Sequence, residues 1–268
     1  MKEILFAVAV LGGMGLLFGL VLAIASKVFA VETNPLLEPL IETLPGANCG
    51  GCGFSGCAGY AQAVLDGKAE PGSCAAGGSA CAQAMAKVLG VEPVESVRMV
   101  AYVQCAGNHA VPKGKYEGLQ DCIAASRVAG KGPKLCEYGC LGFGNCTQKC
   151  KFDAIHIVDG VAKVDPERCM GCMACASVCP RQIIRAVPYG TKVTLPCSSH
   201  AKGPVVMKAC DVGCIGCMKC AKTCTHDAIH VADGLAAIDY NKCVGCGECA
   251  AVCPRHLILN LAQTSEIS

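Results

Sequence analysis

Tryptophan is absent from this 268-residue chain, and its aromatic content stops at six Phe and six Tyr. Aromatic side chains ordinarily supply much of a core's buried area, so their scarcity excludes a large core built in the usual way. One-sided charge is missing too: 23 Lys and Arg face 21 Asp and Glu, a formal balance of +2. That balance gives no electrostatic footprint for nucleic acid, and no nucleic-acid motif is present. The chain also lacks a phosphate-binding loop, a dinucleotide fingerprint beyond scattered glycines, and a nucleophile paired with a base. Its six His do not converge. Bond-making on an organic substrate is therefore not expected, and no residue is assigned as catalytic.

What the chain has in excess is cysteine, 25 residues of 268. Such a density belongs to disulfide scaffolds, to metal sites or to iron–sulfur clusters. Disulfide frameworks favour small secreted domains with even counts. Here the chain is long, the count is odd, and most cysteines stand two or three residues apart, which points to metal or clusters. Segments of about 55 to 75 residues are also below the size at which burial alone is comfortable, and bound metal can replace a larger core.

From Ile4 to Ser26 the sequence is an apolar run of 23 residues, closed by Lys2 and Lys27. At 1.5 Å per residue it reaches about 34 Å, enough for a hydrocarbon core of about 30 Å. A cleaved signal peptide is the alternative, since Val28-Phe29-Ala30 faintly resembles a cleavage site. The run exceeds the usual apolar segment of a signal, and Glu3 dilutes its positive start, so a retained transmembrane anchor is expected. Gly15 and Gly19 form a small-xxx-small pair that would let a second helix approach, although glycines are common in membrane helices anyway.

The domain order expected is an anchor over 1–26, a linker over 27–40, an N-terminal Fe-S domain over 41–90, a connecting segment over 91–135, ferredoxin module 1 over 136–190, ferredoxin module 2 over 191–262 and a tail over 263–268. The fold class is α+β, with an N-terminal transmembrane helix, a small Fe-S domain and tandem bacterial-type two-cluster ferredoxin modules. The tandem reading rests on a repeat: Cys150 to Ile183 aligns without gaps on Cys224 to Leu257, with 18 of 34 positions identical. Each copy holds Asp-Ala-Ile-His, then an Asp-Gly pair (Asp159-Gly160, Asp233-Gly234) and a second apolar run, which reads as two brief strands joined by a tight turn. Ala174 to Val178 and Glu248 to Val252 suit short helices. His156 and His230 occupy equivalent strand positions and are read as solvent-facing.

The most specific motif is Cys169-x2-Cys172-x2-Cys175-x3-Cys179-Pro180, repeated as Cys243-x2-Cys246-x2-Cys249-x3-Cys253-Pro254. This is the bacterial ferredoxin run, in which three cysteines bind one cubane and the fourth binds its neighbour. In module 2 the partner run is Cys214-x2-Cys217-x2-Cys220-x3-Cys224, so all eight ligands are present. Cys214, Cys217, Cys220 and Cys253 are expected around one cluster, and Cys224, Cys243, Cys246 and Cys249 around the other. Structural zinc uses similar Cys-x2-Cys pairs but does not explain four regular cysteines followed by Pro. Module 1 departs from the pattern, because Phe143 stands where Cys217 stands in module 2. Cys136 is the nearest free thiol, giving Cys136, Cys140, Cys146 and Cys179 for one cluster and Cys150, Cys169, Cys172 and Cys175 for its mate. A three-iron cluster or a ligand other than Cys would also fit.

Upstream, Cys49-x2-Cys52-x4-Cys57-x16-Cys74 lies in a Gly-rich stretch and is expected to hold a further cluster, whose nuclearity the spacing leaves open. Cys105, Cys122, Cys197 and Cys210 remain. Cys105 and Cys197 each follow a strand-like run (Met99 to Val103, Lys192 to Leu195) and each precede a His (His109, His200), so the four could bind a sixth cluster. Four buried free thiols are the alternative. Cys81, on an Ala-rich helical stretch, is read as structural. Lys208, Lys219, Lys222, Lys242 and Arg255 surround module 2 and could attract an acidic ferredoxin.

An apolar N-terminal run, then Cys49-Gly-Gly-Cys-Gly-Phe-Ser-Gly-Cys57, Asp121-Cys122 with Ala124-Ala125, Gly139-Cys140-Leu-Gly-Phe-Gly-Asn-Cys146 and the two ferredoxin runs together resemble the B subunit of the Rnf complex, in its longer, anaerobe-type form. The resemblance covers essentially the whole chain. It implies four-iron clusters, including the N-terminal one, so that the five or six clusters counted from the cysteines are [4Fe-4S] clusters, and it implies an electron-transfer subunit of a membrane complex that couples ferredoxin and NAD to sodium or proton movement. The partners it implies are the other subunits, soluble ferredoxin and the membrane. Its expected location is the inner membrane, single-pass, with the Fe-S domains on the cytoplasmic side. Two other readings stay open: a polyferredoxin subunit of a hydrogenase-like complex, and a membrane-tethered zinc-binding interaction protein.

Overall fold

A computed structural model of the chain describes residues 2–28, 34–93 and 97–261. It opens on α1, a single helix over Lys2–Val28. Its side chains are described without a break only from Leu11 to Lys27, and those from Leu11 to Ile24 are all exposed. Among the described residues no helix is long and apolar enough to cross a membrane.

The N-terminal domain packs α2 (Leu37–Glu42), α3 (Cys57–Leu65) and α4 (Gly78–Leu89) around Leu40, Tyr60 and Met85. Leu40 is fully buried in this core, so the domain begins at α2, inside the stretch expected as linker. An apolar helix face needs a partner, and Leu40 and Leu44 find theirs here. The Tyr60 hydroxyl donates to the Glu70 carbonyl at 2.7 Å and accepts from the amides of Gly72 and Ser73, both at 3.1 Å. One buried phenol thus fixes the loop that delivers Cys74.

The expected connecting segment contributes β1 (Met99–Val103) and α5 (Cys122–Arg127). After them come α6 (Asn145–Lys149), the hairpin β2 (Ile155–Val158) and β3 (Val161–Val164), α7 (Ala174–Ser177) and β4 (Ile184–Pro188). β1 pairs antiparallel with β4, Val103 opposite Ile184, so module 1 starts well before residue 136. The second module repeats the plan: β5 (Val193–Thr194), α8 (Gly203–Ala209), α9 (Lys219–Thr223), β6 (Ile229–Ala232), β7 (Leu235–Ile238), α10 (Glu248–Ala251) and β8 (Leu259–Asn260). There β5 pairs with β8, Thr194 opposite Leu259.

Both hairpins turn on the Asp-Gly pairs. Asp159 and Gly160 have φ of 51° and 71°, Asp233 and Gly234 of 49° and 76°, the double left-handed conformation that a two-residue turn requires. Each module core is a few Val, Ile and Ala residues with buried cysteines among them. Thiols and small aliphatics are what fill the interior of a chain without Trp.

The three parts touch in order. The Lys151 ammonium donates to the Asn48 carbonyl at 3.1 Å, and Phe152 and Met170 of module 1 pack on the N-terminal core. Between the modules, backbone amides of Ala106, Val111 and Asp211 donate to carbonyls of Pro196, Ala209 and His109 at 3.0, 3.0 and 3.1 Å.

Candidate metal centres

The N-terminal loop gathers four thiols. Cys74 is pushed up in pKa first by burial, with the neighbouring sulfurs of Cys52, Cys57 and Cys49 adding to the rise. Asn48 braces the loop by accepting the Cys57 amide on Oδ1 at 2.8 Å. Cys81 of α4 lies against Cys74, its pKa raised to about 11, chiefly by burial. The loop rests on module 1 so closely that a β-carbon on Gly51 would lie 2.8 Å from the Cys172 α-carbon.

In module 1, Cys150, Cys169, Cys172 and Cys175 line one cleft. Amides of Ala154 and Ala101 donate to the sulfurs of Cys150 and Cys169 at 3.4 and 3.3 Å. The second cleft is lined by Cys140, Cys146, Cys179 and Cys122. Cys136 is not among them, which corrects the expectation that it replaces the cysteine lost at Phe143. Cys122 arrives instead from the start of α5. The Asp121 carboxylate caps that helix, accepting the Ala124 amide at 2.7 Å, while Asn145 accepts the Cys122 amide at 2.7 Å and donates to Asp121. Asn145 immediately precedes Cys146, so one side chain ties two of the thiol-bearing segments together. Phe143 stacks on Tyr116, ring centroids 5.3 Å apart.

In module 2, Cys214, Cys217, Cys220 and Cys253 line one cleft. Cys249 has its pKa raised to about 11, mainly by burial, with Cys243 and Cys246 as the next contributors. Cys224 completes that group by the repeat, and its sulfur accepts the Ala228 amide at 3.4 Å as Cys150 accepts that of Ala154.

A cavity of about 200 Å³ between the modules is lined by Cys105, Cys136, Cys197 and Cys210. Cys122, expected in this group, has traded places with Cys136. The sequence carried a signal for the exchange. Cys136 precedes Cys210 by 74 positions, the interval that separates Cys150 from Cys224, so extending the repeat upstream pairs the two.

The residues present fit iron–sulfur clusters. Each group supplies four thiols, the ligand set of a cubane, and several sulfurs accept backbone amides, the contact that tunes such clusters. Arg181 lines the Cys122 cleft and Arg255 the Cys214 cleft. Their Nε atoms are buried with no partner among the described residues, facing a need for the negative charge that ligating thiolates would bring. Among the described residues no three or more of His, Cys, Asp and Glu come close enough to hold a single metal ion.

Thiol-lined sites in series on two ferredoxin-like modules and a small N-terminal domain define a multi-cluster iron–sulfur electron carrier. Family models agree: an Fe-S cluster family matches residues 44–76, a 4Fe-4S binding domain residues 162–185, and a 4Fe-4S dicluster domain residues 213–257. The chain is 45% identical, over 90% of its length and 73% of the relative's, to the B subunit of the Na(+)-translocating ferredoxin:NAD(+) oxidoreductase complex of Acetobacterium woodii. It is 43% identical, over 89% and 85%, to the B subunit of the proton-translocating ferredoxin:NAD(+) oxidoreductase complex of Clostridium ljungdahlii. With the B subunit of the ion-translocating oxidoreductase complex of Methanosarcina acetivorans it shares 42% identity, over 88% and 90%. The chain belongs to this family, the B subunits of the Rnf-type ion-translocating oxidoreductase complexes.

Proposed function

We propose that this chain receives electrons from reduced ferredoxin at its C-terminal module and delivers them through its N-terminal domain to membrane-embedded partner subunits. The observation that carries this reading is the succession of thiol groups from the N-terminal domain through module 1, and again within module 2. The Gly51 loop sits on Cys172; Cys146 feels both Cys179 of its own group and Cys175 of the next; Cys249 feels Cys220 across module 2. The ligand sets are Cys49, Cys52, Cys57 and Cys74; Cys150, Cys169, Cys172 and Cys175; Cys122, Cys140, Cys146 and Cys179; Cys214, Cys217, Cys220 and Cys253; and Cys224, Cys243, Cys246 and Cys249. Held there, a four-iron cluster takes up and releases one electron at a time.

Exposure supports the direction. Of the 25 cysteines, only Cys217 and Cys246 are exposed. Cys246 is the repeat equivalent of Cys172, which the N-terminal domain covers, so module 2 leaves open the surface that module 1 has filled. Met218 and Val244 stand exposed beside the two cysteines, with Lys219 and Lys222 exposed nearby. Exposed apolar residues with cations nearby suit a weak, fast encounter with an acidic carrier, an attraction that acts on association rate and fades with salt. Mixing the anaerobic protein with reduced ferredoxin should bleach its visible absorption, more slowly as salt rises. Substituting Lys219 and Lys222 with Glu should slow the bleaching and flatten its salt dependence. Unchanged kinetics in that variant would place ferredoxin elsewhere.

The anchor completes the proposal. Although among the described residues no helix is long and apolar enough to cross a membrane, the sequence run from Ile4 to Ser26 has 23 residues without a charge, a length that at helical rise reaches about 34 Å, and this supports reading it as the anchor. No cysteine precedes Cys49. Removing residues 1–26 should therefore release the protein from membranes with its iron content intact. A truncated protein that still sediments with membranes in the absence of partner subunits would refute the anchor.

A further inference from the structure

We propose that Arg181 and Arg255 are potential-setting residues, each holding a cationic guanidinium against one cluster of its ferredoxin module and favouring that cluster's reduced form. This role rests on the multi-cluster reading above and deepens it, because it says which clusters accept an electron more readily.

The two arginines are repeat equivalents, 74 positions apart, and each follows a ligand: Cys179-Pro180-Arg181-Gln182 and Cys253-Pro254-Arg255-His256. Both runs close a tight turn. The Gln182 amide donates to the Cys179 carbonyl at 3.0 Å and the His256 amide to the Cys253 carbonyl at 3.1 Å, while Gln182 and His256 take φ of 51° and 49°. The cation is therefore placed by the ligand's own turn. The cysteines that end the other two runs, Cys150 and Cys224, also have a left-handed residue three positions on, Asp153 and Asp227, both with φ of 49°. In those turns the place of the arginine is taken by Phe152 and His226. Phe152 lines the Cys150 cleft, whose wall holds no charged residue among those described, and His226 is exposed.

Each guanidinium is fixed at one end and unpaired at the other. Arg255 donates through Nη2 to the Cys210 carbonyl at 2.8 Å, and Arg181 through Nη2 to the Lys131 carbonyl. Both Nε atoms are buried without a partner among the described residues. Arg181 and Arg255 are also the only charged residues described in the walls of the Cys122 and Cys214 clefts. A buried donor left unpaired is costly, yet the repeat buries this one twice, at the same atom. What the two clefts share is a set of four thiols, so sulfur is the acceptor that satisfies Nε–H. Lys134 also approaches the Cys122 cleft, but its ammonium is engaged by the carbonyls of Cys140 and Gly160 at 2.9 and 2.7 Å.

Reduction adds one electron to a cluster and breaks no bond, so the negative charge in the cleft rises by one. Arg stays protonated throughout, and no proton leaves or joins it. A fixed cation in a low-dielectric wall attracts the more negative state more strongly, and a hydrogen bond to sulfur acts in the same sense. Both effects raise the potential of the cluster beside the arginine. These are the two clusters that flank the module junction: the amides of Cys140 and Cys214 donate to the sulfurs of Cys105 and Cys197 in the cavity between the modules, at 3.2 and 3.5 Å. An electron crossing from one module to the other thus passes between two sites with the same charge compensation.

The test is a potentiometric titration, followed by electron paramagnetic resonance, of full-length protein purified anaerobically, unmutated and as Arg181→Met, Arg255→Met, Arg181→Lys and Arg255→Lys. Each Met variant should keep its iron and move one cluster, a different one in each, to a more negative potential. The expected size is roughly tenfold in the equilibrium constant, about 59 mV for one electron, and each Lys variant should recover most of it. Unchanged potentials in Met variants of full iron content, or an equal shift of every cluster, would overturn the role. A Lys variant shifted as far as its Met counterpart would overturn it too, since the turn and not the charge would then be responsible. Should the Met variants lose iron, the geometry of the unmutated, cluster-loaded protein decides: Nε within hydrogen-bonding distance of a cluster or ligand sulfur supports the role, and a guanidinium turned away from sulfur overturns it. About eight or fewer irons in the unmutated protein would overturn the multi-cluster reading itself.

Discussion

Replacing Cys52 with Ala should sever the chain at one end while leaving the rest conductive. Reduced ferredoxin should still bleach the clusters of both ferredoxin modules at the unmutated rate, but transfer to the membrane partner should fall to background, and iron should drop by about four per chain. The expectation follows from placement. Cys52 belongs to the thiol group whose loop lies against Cys172, and only 22 residues separate Ser26 from Cys49, so this group is tethered to α1. The exposed thiols lie at the other end, at Cys217 and Cys246. A variant that loses reduction by ferredoxin yet still passes electrons onward after chemical reduction would reverse the direction.

A second large effect is expected at Cys122. Cys122→Ala should cost the module 1 site beside Cys140, Cys146 and Cys179 its fourth ligand, lowering iron by one to about four atoms as the cluster converts or is lost. Electrons from ferredoxin should then stall in module 2, because the vacated position lies between the junction and the Cys172 group. Cys136→Ala should leave this cluster's signal in place, since Cys136 lines a different cavity. Adding Phe143→Cys to Cys122→Ala recreates the spacing of module 2, where Cys217 serves, and should restore cluster and transfer together. Iron analysis with electron paramagnetic resonance on the three proteins separates the outcomes. Loss of the Cys140 site in Cys136→Ala, with none in Cys122→Ala, would reinstate the assignment read from spacing.

What the sequence disclosed depended on whether the determining contacts were local. The Asp-Gly hairpins and short helices after each ferredoxin run follow from chain-local turn and propensity rules, and they form where expected. The eight thiols of module 2 are equally local, held at fixed intervals in two runs. The exchange of Cys122 and Cys136 is not. It depends on Asn145 gripping the Asp121-Cys122 start of α5 from 23 and 24 positions further along the chain, and nearness in sequence favoured the wrong thiol. The linker boundary failed for a similar reason, because Leu40 is buried only through packing against α3 and α4. Arg255, one of the basic residues around the docking module, reaches inward and donates to the Cys210 carbonyl at 2.8 Å, pinning the junction rather than greeting a partner. Lys242, in the same group, is paired with Asp227 at 2.7 Å. Lys208, Lys219 and Lys222 of that basic set are exposed, and the last two flank the Cys217 cleft.

Whether the thiols hold clusters throughout is tested most directly by metal content per chain. Full-length protein, purified without oxygen, should contain about 20 to 24 iron atoms and as many inorganic sulfides, be brown, and carry no stoichiometric zinc. Eight or fewer irons, or a colourless protein with zinc in proportion to its four-cysteine groups, would contradict it.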